Sequence, residues 1–175
     1  MSDHEKVYPD FKAFALAVGS SPEFQSIHNI LRNDYIELLK ITEENLAIRP
    51  VFQTLYRTSL RSLFSLIEAD IFGLNQLDPY ENYNENDRFP EKFKHTFKQI
   101  AKTWNKVEIQ ELYFNSKFEK LQDLRTKRND LMHPKQIIHL HKASIKEFNI
   151  IKSVFEEYDA FMNDIMRNFF LSFKM

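Results

Sequence analysis

The chain contains no cysteine, which excludes disulfides, thiolate metal sites and cysteine nucleophiles together. Glycine is nearly as scarce: 2 in 175 residues are too few for the many tight turns of a β-sandwich or barrel. Long hydrophobic runs are missing too. The longest, Ala13 to Val18, spans six residues, against the roughly 20 that a membrane helix needs. Met1 to Lys6 are polar and lack the apolar segment of a secretory signal, so the expected location is cytoplasmic with no membrane partner. Nor is there an excess of one charge. The 24 basic and 25 acidic residues leave a net charge of −1, and any nucleic-acid site must then be a local patch. No Gly-rich phosphate loop, serine elbow or two-metal carboxylate cluster occurs, so no cofactor and no metal are expected.

What the chain does have is phenylalanine, 17 residues of it. Many aromatics with few glycines suit long packed helices. Pro9 to Val18 reads as a short helix stopped by Gly19, and Ser21-Pro22-Glu23 as the start of a second that runs to about Leu46. Pro50 opens a long helix over Val51 to Leu77. At 100° per residue its Phe52, Tyr56, Leu60, Leu63, Ile67, Ile71 and Leu74 form one stripe. Asp78 to Arg88 is a polar, Asn-rich loop, and Pro90 to Trp104 a shorter helix. Ser116 with Glu119, and Ser144 with Glu147, each match a capping box. The first should open a helix to Met132, ended by His133-Pro134. The second should open a last helix reaching Phe173, with a heptad seam of Phe148, Ile151, Phe155, Tyr158, Met162, Ile165 and Phe169. Gln136 to Leu140 is the one strand candidate. The expectation is a single all-α domain over 1–175, an antiparallel bundle of four to five main helices.

Charged residues interrupt two of the apolar faces. On the 116–132 helix, Phe118, Leu121, Leu124, Leu131 and Met132 define the apolar face, with Arg128 near its middle and Arg125 near its edge. A guanidinium keeps its proton and is costly to bury without an anionic partner. It must pair with a carboxylate or line a site that receives an anion. On the 51–77 helix, Asp70 lies inside the apolar stripe, while Glu68 projects to the polar side with Arg57 and Arg61. An internal Asp70–Arg128 or Asp70–Arg125 ion pair is one reading, and a specified polar pocket is the other. His133 follows at the helix end, where its side chain and that of Arg128 can converge on such a pocket.

Arg128-Asn129-Asp130-Leu131-Met132-His133 resembles the signature of the HEPN superfamily: an Arg, a polar neighbour and a His after several intervening positions. The context is similar too, with the motif late in a helix, a long helix after it and two long helices before. The resemblance implies an HEPN-like helical bundle acting as a homodimer, its two motif copies facing a shared cleft. It further implies a metal-independent endoribonuclease of a toxin–antitoxin or defence system, with RNA (tRNA among the candidates) as substrate, an antitoxin protein as partner and a 2′,3′-cyclic phosphate product. In that reading His133 assists proton transfer from the attacking 2′-hydroxyl, and Arg128 stabilises the developing negative charge. Asn129 orients the pair or the phosphate. Asp130 and either Asp70 or Glu68 are the supporting residues. Some members of the superfamily have lost catalysis, which leaves a non-catalytic nucleotide-, nucleic-acid- or protein-binding module as the alternative.

Arg125, Lys127 and Lys135, with Lys120 and Arg128, cluster within sixteen residues and mark where a polyanion would lie. Glu119, Asp123 and Asp130 stand against them, as in an ordinary solvated helix face. His139 and His141 have no Asp, Glu or Cys at ligand spacing and make no zinc site. His28 and His95 each stand alone and read as surface residues.

Overall fold

The computed structural model describes residues 10–140 and 143–167. Among these are six α-helices, one 3-10 turn and no strand. α1 spans Phe11–Glu44 and α2 Arg49–Leu77. They pack as an antiparallel hairpin, with His28 meeting Asp70 near one end and Thr42 meeting Ser59 near the other. α6, Ile145–Met166, lies along this hairpin. Arg32 and Tyr35 of α1 meet Asp159 and Phe155, and Phe52 of α2 meets Phe148. α5, Phe118–Met132, rests on α2, while α3, Phe89–Thr103, and α4, Val107–Ser116, complete the bundle.

The stripe on α2 is buried throughout its seven positions, and so are Phe148, Ile151, Phe155, Tyr158, Met162 and Ile165 of the heptad seam on α6. Phe169, and the expected extension to Phe173, lie outside the described residues. The phenylalanines converge on Phe93, whose ring centroid lies 4.6–6.4 Å from those of Phe97, Phe118, Phe114, Phe89, Tyr113 and Tyr158. Six rings around one suit the offset and edge contacts that aromatic pairs prefer. The aromatic excess is therefore spent where α3, α4, α5 and α6 meet.

Several local expectations are corrected. The first two helices are one: α1 passes through Gly19 and Pro22 without a break. Asp10 caps it by accepting from the Ala13 N–H at 2.8 Å. Pro22 removes only one backbone donor, and the burial of Ala17, Ser21 and Phe24 on both sides of it holds the helix together. Ser116 does not open a helix but ends α4, its hydroxyl donating to the Leu112 carbonyl at 2.6 Å. α5 begins two residues later without a side-chain cap. α4 was not expected at all. It exists because α3 stops at Asn105, which takes the left-handed conformation (φ 53°). Lys106 then donates to Ala101 O and Asn105 to Lys102 O, the paired bonds of a Schellman ending. Ser144 does cap α6, accepting from the Glu147 N–H at 3.2 Å. Gln136 to Leu140 is no strand but the 3-10 turn Ile137–His139. No helix among the described residues is long and apolar enough to cross a membrane.

Candidate functional site

α5 ends where its register and Pro134 require. His133 is the C-terminal cap, its N–H donating to Asn129 O at 3.0 Å and its side chain exposed. Across from this end stands α2, antiparallel to α5. From it Arg61 Nη2 donates to the Leu131 carbonyl at 3.1 Å, satisfying one of the acceptors left over at a helix C-terminus. One helical turn back along α5, Arg128 lies over the face of Phe64, 5.9 Å from its centroid. Arg125, another turn back, lies 5.4 Å over Phe89. Both guanidiniums thus spread over aromatic rings, which is how α5 carries two arginines beside its apolar face. Burial, with the charge of Arg128 second, pushes the Arg125 pKa below its ordinary value.

The acidic partner of Arg128 is Glu68. Its Oε1 accepts from Nη2 at 3.0 Å, and Asn129 Oδ1 accepts from Nη1 at 3.3 Å. The Arg128 side chain is 22% exposed and Glu68 43%, so this ion pair sits at the surface. Nε of Arg128 is buried without a hydrogen-bond partner. Asp70, the other candidate, is elsewhere. It is 1% exposed, and its two oxygens accept from His28 Nδ1 at 2.8 Å and from the Tyr158 hydroxyl at 2.7 Å. The expected Asp70–Arg128 or Asp70–Arg125 ion pair does not form. Two positions along a helix turn a side chain by about 200°, so Glu68 faces α5 while Asp70 faces α1 and α6. The two interruptions of the apolar faces mark different places.

The remaining candidates divide. Asp130 is half-buried on the same turn as Asn129. Lys127 is engaged by Glu147 of α6 at 3.2 Å. Lys135 is exposed beyond the helix, its backbone N–H donating to His139 Nδ1 at 3.0 Å. His133 makes no side-chain hydrogen bond with the described residues. A groove of about 470 Å³ between α4 and α6, and a cleft of about 330 Å³ between α1 and α6, include neither residue. The motif is a half-exposed basic corner in which Arg128 pairs with Glu68. Exposed apolar side chains lie in and just after it: Met132, Ile137 (88% exposed), Ile138 (74%) and Leu140.

The cluster that sequence reasoning missed is His28–Asp70–Tyr158. His28 is not a lone surface residue, since its side chain is only 13% exposed. The available signal was Asp70 itself: an acid inside an apolar stripe needs donors, and Tyr158 in the heptad seam and a histidine on the neighbouring helix supply them. Desolvation raises the Asp70 pKa, against the lowering effect of His28 and Tyr158, and burial together with Asp70 raises that of Tyr158 well above the usual phenol value. No group of three or more His, Cys, Asp or Glu residues that could hold a metal occurs among the described residues. No protein-family model, curated protein or solved structure matches the chain.

Proposed function

We propose that this chain is an HEPN-type, metal-independent endoribonuclease that acts as a homodimer in a toxin–antitoxin or defence system. The observation that carries the reading is the company of the RNxxxH motif at the exposed end of α5. Arg128 is oriented by Glu68 and Asn129, Arg125 stands beside it, and His133 is open to solvent one turn on. An exposed ion pair contributes only about 0–1 kcal/mol, so a phosphate displaces Glu68 from Arg128 at little cost. Arg128 then faces the charge that develops on the phosphate, His133 takes the proton of the attacking 2′-hydroxyl, and the bond from phosphorus to the 5′-oxygen breaks, that oxygen leaving with a proton from water. A second protomer docked over Met132, Ile137 and Ile138 supplies the wall that a single exposed corner lacks.

The test is incubation of the purified protein with total RNA or tRNA in EDTA. Wild type should cleave, and His133→Ala should cleave about 10²–10⁴-fold more slowly with its melting temperature unchanged, because that imidazole is exposed and makes no hydrogen bond with the described residues. Equal cleavage by both, or by neither, rejects the enzyme. A second reading has one observation in its favour: Arg128 already has a carboxylate partner. As a non-catalytic module the protein would bind RNA or nucleotide without cutting it, and Arg128→Ala would lower affinity alone.

A further inference from the structure

The cleft of about 330 Å³ between α1 and α6 lies away from the motif, and its volume falls within the ~300–1,000 Å³ range of small-ligand sites. His28, Arg32, Gln25, Asn29 and Asn163 supply its polar wall, and Met162 part of its apolar one. Two carboxylates stand behind this wall, and both are consumed. Asp70 accepts from His28 and Tyr158. Asp159 accepts from Arg32 Nε at 2.5 Å, from Arg32 Nη2 at 2.7 Å and, more weakly, from Asn163 at 3.4 Å. The side chains left facing the cleft are therefore rich in donors: Nη1 of Arg32, the amides of Gln25 and Asn29, and the His28 ring edge opposite Asp70.

That ring is fixed. With Nδ1 held by the buried Asp70, the orientation of the imidazole is set, and Nε2 is the ring nitrogen left without a hydrogen bond among the described residues. We propose that the cleft binds a small organic oxyanion, a carboxylate or phosphate monoester with a short apolar or aromatic portion, received by His28 Nε2 and Arg32 Nη1. The other ionisable groups around His28 are Asp70 on α2, Tyr158 and Asp159 on α6, and Arg32 on α1.

Titration of the full chain with benzoate, phenyl phosphate and the neutral benzamide, followed by the NMR signals of the His28 ring, tests this. Benzoate, phenyl phosphate or both should give saturable shifts, and the stronger of the two names the anion preferred. Benzamide should give none. His28→Gln should weaken binding by about ten-fold or more. Because that change also strips a partner from Asp70, Asn29→Trp serves as the second variant. Asn29 is exposed on the rim, and an indole there fills the cleft while leaving the Asp70 network intact. Saturable binding abolished by Asn29→Trp supports the site. Absence of saturable shifts, equal response to benzamide, or unimpaired binding by either variant overturns it.

Discussion

Asp70 is the most buried carboxylate among the described residues. A carboxylate taken out of water is costly unless it is hydrogen-bonded, and α1 and α6 each provide one bond. Asp70→Ala strands His28 and Tyr158 and should cost about 3–5 kcal/mol in denaturant unfolding, the usual scale for breaking a buried partnership. Its charge leaves a second signature. The folded pKa is raised by burial, so the folded state binds its proton more tightly than the unfolded one. The stabilisation is full below the unfolded carboxylate value of about 3.9 and is lost as pH rises through the folded value. Unfolding free energy measured against pH should therefore show a downward contribution above about pH 4 in wild type that Asp70→Asn lacks. An identical profile in the variant would mean Asp70 is no more proton-loving folded than unfolded. Arg128 differs in kind. Its partner is half-exposed, so Arg128→Ala should cost only about 1 kcal/mol, and a much larger loss would place the guanidinium in the core.

At the scale of the helices, the two glycines predict opposite outcomes. Gly73 faces α1, and a Cβ there would sit 2.2 Å from Cδ2 of Phe24. Gly73→Ala forces that ring out of its place and should destabilise by about 1–3 kcal/mol. Gly19 lies mid-helix with nothing within 4 Å of an added Cβ, so Gly19→Ala should stabilise by about 0.5–1 kcal/mol. Thermal melting of the two variants should move in opposite directions, and a stabilising Gly73→Ala would contradict the α1–α2 packing described. The same elements show what the sequence could and could not reveal. Amphipathic periodicity located α2 and α6 because their stripes are long and continuous. Pro22 and Gly19 misled because local breaking tendencies are outweighed by the burial of Ala17 and Phe24 against neighbours far along the chain. Ser116 misled for a related reason: its hydroxyl found a carbonyl four residues back instead of the amide ahead. Asp70 and Arg128 were both visible as interruptions, but a projection cannot say which neighbouring helix lies opposite each, and the two belong to different sites.

For the whole molecule, the described helices make one bundle with a basic corner at one edge and apolar side chains exposed beside it. Ile137 and Ile138 belong to a 3-10 turn that buries nothing of its own, so replacing both by Asp should leave the monomer's melting temperature unchanged. If the homodimer of the proposed function docks there, sedimentation should show wild type as a dimer and the double variant as a monomer. Two dimers would place the interface elsewhere. The central claim, that Arg128 and His133 cleave RNA through its own 2′-hydroxyl without a metal, is tested most directly at the ends of the products. End-group analysis of tRNA after incubation in EDTA should find 2′,3′-cyclic phosphate and 5′-hydroxyl termini with wild type, and almost none with His133→Ala. Products ending in 3′-hydroxyl and 5′-phosphate, or equal yields from both proteins, would contradict it.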